Sequence, residues 1–418
     1  MWARTQLKID WRDLVSGATA CLMPGSRDEL ARAVESWWGD GCETIAAYSV
    51  RSGFDLLLQA LALEPDDEIV FSALNVRGMI KIARKHGLTA VPLDLDLDHM
   101  APTVEELERA ITEKSRVLVV AHLFGTRLEL DRIFDCARSH GLVIVEDCAQ
   151  AFNGRAYGGH PGADLSMFSF GPLKTATALG GALIRVRDRT IAERMRSIQA
   201  AYPVQSNRAQ LVRVLKFAGL KIVTAPVVLG AIHRIFHHFG RDYEDAISDR
   251  VRNVAKLKSF KSLRYQPSAG MLGLLKRRIE TFSPETLEAR AEKGRRLRSL
   301  IGDAVVVPAQ ASAHHDYWVF PVLVDDIQAY ISALREAGFD CSNLPRSQAV
   351  EAPSDRPELE PHRAAQALSD LIVVPCYQSM PDTEIARLAE VIRAVAARVG
   401  NERTRSYATA QANKADAA

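Results

Sequence analysis

The sequence predicts an α/β fold with a doubly wound, mostly parallel sheet, followed by a smaller α+β domain. Short apolar runs alternate with amphipathic helical patterns from residue 45 to residue 186, as in parallel sheets whose strands are joined by helices. Acids and hydroxyls follow two of these runs, and ligands of open α/β sheets bind beyond the carboxyl ends of strands. Fewer and more widely spaced strand and helix patterns recur after residue 317, which predicts the second domain.

Composition indicates a soluble globular protein. The 418 residues suffice for two domains and a large core, with 47% hydrophobic and 25% charged residues. A net charge of +2 gives no case for binding nucleic acid. The six cysteines lack CxxC and Cys/His metal spacing, which favours reduced thiols in the cytoplasm. We see no signal peptide and no uninterrupted apolar run of membrane-spanning length.

Changes in pattern divide the chain into five parts. We expect an N-terminal arm that packs through Trp2 and Trp11, a large domain, an apolar and basic insertion, linker helices with a small C-terminal domain, and a polar, disordered tail. Their boundaries are 1–25, 26–199, 200–262, 263–400 and 401–418.

The first half of the large domain shows three local signals. Ser26 caps a predicted helix over 26–39. The run from Ile45 leads through a tight turn into a helix, where the free N–H groups of Ser52 and Gly53 would face an anion. Gly53 is equally well explained as a plain turn residue. Thr103 and Glu106 form a capping box for a further helix.

The central stretch runs from Gly141 to Val186. The apolar strand from Gly141 to Val145 ends in Glu146 and Asp147, and the next strand ends near Ser169. Lys174 follows five residues later, in a loop. The pair Gly180–Gly181 then leads into a third strand, which ends at Val186.

Lys174, Asp147 and Ser169 together suit one cofactor, pyridoxal 5'-phosphate (PLP). PLP requires a deprotonated amine to form a Schiff base, a carboxylate against its ring nitrogen, and small or hydroxyl residues around its phosphate. Each residue also has an ordinary explanation. Lys174 could be a solvated charge, Asp147 a turn residue and Ser169 a buried hydroxyl.

The combination resembles the DegT/DnrJ/StrS family of fold-type-I PLP-dependent aminotransferases, most of which act on nucleotide-linked keto-sugars. That family has an acid followed by D-x-A-[HQ], then G-x-x-x-G, S-F-x-x-x-K and a glycine pair. The matching residues here are Glu146, Asp147-Cys148-Ala149-Gln150, Gly158 with Gly162, Ser169-Phe170-Gly171-Pro172-Leu173-Lys174, and Gly180-Gly181.

The resemblance implies a seven-stranded sheet and a role for each site residue. Lys174 would form the Schiff base and move the substrate proton. Asp147 would pair with the ring nitrogen, Gln150 would line the ring and Ser169 would bind the phosphate. Ser52 and Gly53 stand at the family's S-G-T phosphate site. Fold-type-I sites are usually completed by two subunits, so we expect a homodimer. No metal is expected.

Several positions depart from the family pattern. Phe54 replaces the threonine of S-G-T, and the slot of an aromatic residue that stacks on the ring falls near Val76. Leu179 stands where an acid usually precedes the glycine pair. Arg264-Tyr265-Gln266 takes the place of an N-Y-R motif, and Arg264 is expected to supply positive charge across the dimer. His122, in a V-H-x-x-G turn, is either structural or an active-site wall.

Residues 211–239 form an apolar stretch dotted with Lys and Arg, where Pro226 would interrupt a helix. One interpretation is a pair of helices packed on the dimer or the small domain. Another is an interfacial segment in peripheral contact with a membrane, or an acyl-chain pocket. His233, His237 and His238 lack a partnering acid motif, so we expect no metal there.

Three functions fit this sequence. The first is an aminotransferase that moves nitrogen from an amino acid such as glutamate to a keto acceptor, most simply a nucleotide-linked sugar. The second is a PLP-dependent lyase or dehydratase, but the sugar dehydratases of the family carry histidine in place of Lys174. The third is a non-catalytic regulatory relative, which the departures at Phe54, Val76 and Leu179 would explain.

Overall fold

The computed structural model describes residues 1–238, 260–344 and 347–400. Its helices are α1 Trp11–Leu22, α2 Arg27–Glu35, α3 Val50–Leu61, α4 Arg77–Lys85, α5 Val104–Ala110, α6 Asp131–Ser139, α7 Arg189–Ala200, α8 Asn207–Val223, α9 Pro226–His238, α10 Ala269–Glu280, α11 Glu285–Ile301, α12 Ile327–Glu336, α13 His362–Asp370 and α14 Asp382–Val399. Its strands are β1 Glu43–Ala47, β2 Glu68–Ser72, β3 Leu74–Val76, β4 Thr89–Leu93, β5 Ser115–Ala121, β6 Thr126–Arg127, β7 Val143–Asp147, β8 Leu165–Ser169, β9 Ala182–Val186, β10 His314–His315, β11 Phe320–Leu323, β12 Ser347–Ala349 and β13 Leu371–Val374.

A seven-stranded sheet forms the centre of the large domain, with strand order β1-β9-β8-β7-β5-β2-β4. Strand β9 runs antiparallel to both of its neighbours, and the pairs among β8, β7, β5, β2 and β4 are all parallel. The predicted doubly wound, mostly parallel sheet is therefore confirmed.

Helices cover both faces of this sheet, which explains why its strands are apolar on both sides. Phe54 of α3 and Met79 of α4 share one core cluster with strand residues such as Val145. On the opposite face, Leu107 of α5 and Phe134 of α6 pack with residues that include Ile144. The alternation of Ile144 and Val145 between the two clusters follows the period of a strand.

The C-terminal part builds a smaller core on the antiparallel pair β11–β13. Helices α11, α12 and α14 cover this pair, with Phe320 and Tyr330 among the buried residues. The N-terminal arm is tied to it, because Trp2 Nε1 donates to Glu384 Oε2 at 2.8 Å and the Trp2 ring lies against Tyr377. Trp11, in contrast, is 49% exposed.

Helices α1 and α10 were not predicted from the sequence. They pack against each other, and α10 also contacts α2. Buried Asp13 of α1 forms ion pairs with Arg277 and Arg278 of α10. Leu274 and Leu275 of α10 belong to a core cluster beneath the large sheet. The division of the chain at residue 263 stays a prediction.

Helices α8 and α9 meet at a bend of 76°. Helix α8 ends at Val223 and α9 begins at Pro226, so the predicted interruption at this proline is confirmed. No single described helix has the length and hydropathy to cross a membrane, although the bent pair meets that test when taken together. The side chains of His233, His237 and His238 and the predicted tail at 401–418 lie outside the described part of the chain.

Candidate active site

Four of the predicted site residues, Asp147, Gln150, Ser169 and Lys174, lie at or just beyond the carboxyl ends of β7 and β8. Asp147 is the last residue of β7, and Lys174 lies in the loop that joins β8 to β9. That loop folds back on the sheet, because the N–H groups of Ala178 and Gly180 both donate to the Phe170 carbonyl. Parallel neighbours end on the same edge, so the strand order itself brings the acid and the amine together.

The Lys174 amine lies in a low-dielectric setting. Burial lowers its pKa from 10.5 to about 8, although the charge of Asp147 acts in the opposite direction. Its Nζ lies 4.4 Å from the centre of the Trp318 ring. Trp318 Nε1 also donates to the Leu173 carbonyl at 2.9 Å, one residue before the lysine. The result is an amine that is partly neutral near pH 8 and held over an aromatic face.

Asp147 is buried, and its side chain has few donors. Oδ1 accepts the Ala149 N–H at 2.9 Å, and the structure shows no hydrogen bond to Oδ2 from the described residues. Burial raises the pKa of Asp147, and this effect outweighs the opposing influences of the Ala149 N–H and the Lys174 charge. A buried carboxylate of this kind favours a cationic partner.

Glu146, one residue earlier, is the opposite case. It accepts hydrogen bonds from His122 Nε2 at 2.8 Å, Ser166 Oγ at 2.6 Å, the His160 N–H at 2.8 Å and the Tyr157 hydroxyl. Burial alone would raise its pKa, but these donors outweigh burial and lower it to about 2. Our expectation that both acids face a ligand is therefore wrong for Glu146, which lies in a closed network.

The two ring nitrogens of His122 are both used in this network. Its Nδ1 accepts the Leu128 N–H at 3.1 Å, so Nε2 carries the hydrogen that is donated to Glu146. His122 is 1% exposed. Of the two interpretations, the structure therefore supports the structural one.

Gln150 and Gly125 shape the turn after β5. Gln150 Oε1 accepts the Phe124 N–H at 2.8 Å, which links the ends of β5 and β7. Gly125 has a φ of +98°, and a Cβ there would lie 2.5 Å from the Trp318 backbone nitrogen. Strand β10 pairs with β6 beside this turn. A glycine is therefore required for the segment that carries Trp318 to reach the site.

Two hydroxyls flank the lysine loop. Ser169 Oγ is 3.4 Å from the Gly171 N–H, at the start of the loop. Thr175 Oγ1 is buried without a hydrogen-bond partner in the described part of the chain. A bound anion would satisfy such an orphaned hydroxyl.

The backbone N–H groups of Ser52 and Gly53 are not free to bind an anion, as we had expected them to be. Their N–H groups are already engaged, that of Ser52 by Ser49 Oγ at 3.2 Å and that of Gly53 by the Ser49 carbonyl at 3.0 Å. A Cβ on Gly53 would lie 2.4 Å from Ile184 Cδ1, so this glycine allows α3 to approach β9 closely. Free N–H groups at these two residues are thus ruled out in this structure, whereas Ser52 Oγ remains a candidate contact.

The departures from the family pattern have structural counterparts. Val76, at the slot of the stacking aromatic, is 41% exposed. Leu179 adopts a positive φ of 61°, and its carbonyl lies 3.5 Å from Arg213 Nη1. Arg213 belongs to α8 and also donates to the Tyr48 hydroxyl at 2.8 Å. The insertion thus reaches the glycine-pair loop, a contact that sequence patterns could not indicate.

Arg264 is engaged within its own chain. Its Nε and Nη2 donate to the two oxygens of buried Asp55 at 2.9 and 3.2 Å, and His86 Nε2 lies 2.9 Å from the same carboxylate. The supply of positive charge across a dimer by Arg264 stays a prediction.

One buried trio has the composition of a metal site. Ligand atoms of His122, Glu146 and Cys148 lie within 4.8 Å of one another. The histidine nitrogens and the glutamate oxygens are committed to the hydrogen bonds described above, and burial raises the pKa of the Cys148 thiol. The trio is explained as part of the core.

Comparison with known proteins relates this geometry to sugar-modifying enzymes. Residues 21–220 match the DegT/DnrJ/EryC1/StrS aminotransferase family. The chain is 37% identical over 166 residues to dTDP-3-amino-3,4,6-trideoxy-alpha-D-glucose transaminase of Streptomyces venezuelae, covering 38% of this chain and 43% of that protein. It is 30% identical over 141 residues to GDP-perosamine synthase of Escherichia coli O157:H7, covering 33% and 39%. The matches thus span about two fifths of the relatives' length.

Solved structures extend the likeness over nearly the whole chain. The aminotransferase TlmJ from Streptoalloteichus hindustanus superimposes with a TM-score of 0.70 at 19% identity, covering 96% of this chain and all of that one. PseC from Helicobacter pylori, an aminotransferase of pseudoaminic acid biosynthesis, gives 0.68 at 14% identity, covering 94% and 98%. At these identities the comparison establishes the shared fold.

Proposed function

We propose that this chain, whose residues 21–220 match the DegT/DnrJ/EryC1/StrS aminotransferase family, is a PLP-dependent aminotransferase. It would transfer an amino group from an amino acid, with glutamate as the first candidate, to the keto group of a nucleotide-linked sugar. The observation that carries this proposal is the placement of two buried groups at one edge of the sheet: Asp147 at the end of β7, and the pKa-lowered amine of Lys174 in the loop that follows the neighbouring strand β8.

The residues present fit PLP. Asp147 is buried, has a raised pKa and would pair with a protonated ring nitrogen. Lys174 supplies the amine, and the Ser169 and Thr175 hydroxyls and Ser52 Oγ are candidates for the phosphate. Gln150 lies between the two strand ends and would line the ring. Gly53 would contribute by packing α3 closely onto β9, rather than through its N–H group.

In this mechanism Lys174 moves the proton and Asp147 holds the charge. When bound, PLP supplies an electron sink that stabilises negative charge on the substrate carbon. Because the pKa of Lys174 is about 8, its amine can both accept and return a proton near neutral pH. Asp147, kept from water by burial, would hold the ring nitrogen protonated.

Trp318 acts as a positioning residue. It lies in the C-terminal part of the chain, between β10 and β11, yet it holds the Leu173 carbonyl by a hydrogen bond and covers the Lys174 amine with its ring. These two contacts fix the lysine loop and exclude water from one side of the amine. Sequence patterns did not indicate this role, because Trp318 lies far from Lys174 along the chain.

The acceptor follows from the relatives, whose names specify a dTDP-linked aminosugar and GDP-perosamine. A nucleotide-linked keto-sugar, used to build a polysaccharide or glycoconjugate, is therefore the proposed substrate class. The six free cysteines support a reducing, cytoplasmic location. We also infer a homodimer, since sites of this fold are usually completed by two subunits, and a peripheral membrane contact through 211–239.

An absorbance spectrum tests this function. Protein incubated with PLP should show a visible band that borohydride removes and that Lys174→Ala lacks. Glutamate should deplete the band, and a nucleotide-linked keto-sugar should restore it. If no band forms with added PLP, the cofactor proposal is wrong. If the band forms but glutamate leaves it unchanged while the sugar is dehydrated, the protein is a lyase.

A further inference from the structure

Most of the exposed apolar side chains lie on or next to helices α1, α8 and α9. Of the twelve large hydrophobic residues that are exposed in the described part of the chain, three belong to α1, three to α8 and one to α9, and an eighth directly follows α1. They are Trp11, Val15, Leu22, Met23, Val212, Leu215, Ile222 and Val227, which together we call the apolar surface. Val227 is 82% exposed and Met23 78%.

These helices are firmly attached to the fold. Helices α1 and α8 pack against each other, and both contact α10. Val214 and Phe217 of α8 are buried, with Phe217 in the core beneath the large sheet. Helix α8 is therefore apolar on its inner side as well as on its exposed side. Because its inner side is packed into the protein core, α8 can lie along the surface of a lipid bilayer but cannot cross it.

The charged side chains on α8 and on the described part of α9 are all positive. Between Glu193 and Asp242 the sequence contains no Asp or Glu but eight Lys and Arg residues. The one acid within α1, Asp13, is buried in ion pairs with arginines of α10. Arg208 and Arg234 are exposed on α8 and α9. Helices α8 and α9 thus combine exposed apolar side chains with positive charge, whereas exposed acids occur only beyond the two ends of α1, at Asp10, Asp28 and Glu29.

We propose that the apolar surface docks on an anionic lipid bilayer, with α1 and α8 lying in the headgroup region. Interfacial helices combine apolar side chains with Lys and Arg, which attract anionic headgroups. The α8–α9 pair has the hydropathy of a membrane span, but its two helices meet at a bend of 76°. Because of this bend, the pair is better suited to lie along the bilayer surface than to cross it.

A second copy of the chain fits this surface poorly. In a two-fold symmetric contact the same patch meets itself. Such a contact would set Arg208 and Arg234 against the same basic patch of the other copy, with no exposed acid on α1 or α8 to compensate. An anionic bilayer instead neutralises these charges as it covers the apolar side chains.

Vesicle sedimentation of the full-length protein tests the proposal. We expect binding to vesicles of phosphatidylcholine with phosphatidylglycerol and at least tenfold weaker binding to phosphatidylcholine alone. The triple variant V212S/L215S/I222S should weaken binding at least tenfold. R208E/R234E should weaken it by a similar factor, since each basic residue contributes about fivefold near an anionic surface. The control K81E/K85E, on exposed positions of α4, should change it less than twofold.

Three outcomes would overturn the proposal. The first is wild-type protein that sediments with neither kind of vesicle. The second is a triple serine variant that binds vesicles like the wild type. The third is loss of the dimer in the triple variant, measured by light scattering, which would assign the surface to a second copy. The proposal deepens the peripheral membrane contact inferred above, so a failed vesicle test would remove that contact. None of these readouts involves PLP, so the failure would leave the proposed aminotransferase activity untouched, and loss of that activity would leave the vesicle test unchanged.

Discussion

Strand β7 ends in two neighbouring carboxylates, Glu146 and Asp147, which point to opposite faces of the sheet and have opposite environments. Glu146 accepts four hydrogen bonds from its own chain, which lower its pKa to about 2. Asp147 accepts one from the Ala149 N–H, and burial raises its pKa. Because successive side chains of a strand point to opposite faces, one residue step separates a satisfied structural acid from an unsatisfied one.

At this one strand end, Glu146 therefore contributes to stability and Asp147 to the proposed function. The closed network around Glu146 fastens β7 to β8 and to the turn after β5 through Ser166 and His122. Asp147 instead accepts a single hydrogen bond from the described residues and lies within electrostatic range of Lys174. A buried carboxylate that lacks internal donors marks the functional face.

The largest expected effect on activity comes from removing the Lys174 amine. Lys174→Ala should lower kcat by about 10⁴-fold or more, because proton transfer by a positioned group contributes about 10²–10⁴-fold and covalent attachment is lost as well. Single-turnover conversion of glutamate is the measurement. A variant that keeps a tenth of the wild-type rate would show that another base moves the proton.

Asp147→Asn should reduce kcat by about 10²–10³-fold, since one preorganised group that stabilises developing charge has this magnitude. The amide keeps the shape of the side chain but cannot hold a proton on the ring nitrogen. The variant should melt within a few degrees of the wild type. Full activity in the asparagine variant would contradict the assignment of Asp147 to the cofactor.

Glu146→Gln should instead destabilise the protein by about 3 kcal/mol with little change in kcat, because it breaks a buried charged network. The wild-type contribution has a defined pH window. The pKa falls from 4.5 to about 2 on folding, so the stabilisation is complete above pH 4.5 and is lost as the pH falls toward 2. Chemical denaturation between these pH values should show this loss in the wild type and not in the glutamine variant.

The smallest expected effect concerns Trp318. Trp318→Phe keeps a ring over Lys174 but removes the hydrogen bond to the Leu173 carbonyl, a contribution of about 1 kcal/mol, or about fivefold. PLP should therefore dissociate about fivefold faster from this variant. Trp318→Leu, which lacks the ring too, should be faster by about tenfold. Equal rates for all three proteins would mean that Trp318 merely fills space.

Sequence patterns predicted the large sheet and the β7–β9 region well. Strand β7, Asp147, Lys174 and the glycine pair lie within one stretch, where local periodicity and spacing carry the information. The role of Glu146 could not be seen, since Tyr157, Ser166 and His122 reach it only in the folded chain.

Other features depended on contacts between distant segments. Trp318 approaches Lys174 because Gly125 allows β10 to pair beside the β5 turn. Helix α10 was missed because Gly270 and Gly273 weaken its helical pattern. A Cβ on Gly270 would lie 2.6 Å from Cys21 Sγ, so this glycine serves the close packing of α1 on α10.

The decisive measurement is the affinity of Asp147→Asn and Glu146→Gln for PLP, determined side by side by fluorescence titration at pH 8. We expect Asp147→Asn to weaken PLP binding by at least tenfold, and Glu146→Gln to change it by less than twofold while lowering the melting temperature. The reverse pattern, with Glu146→Gln losing the cofactor and Asp147→Asn retaining it, would contradict the assignment of the two faces of β7.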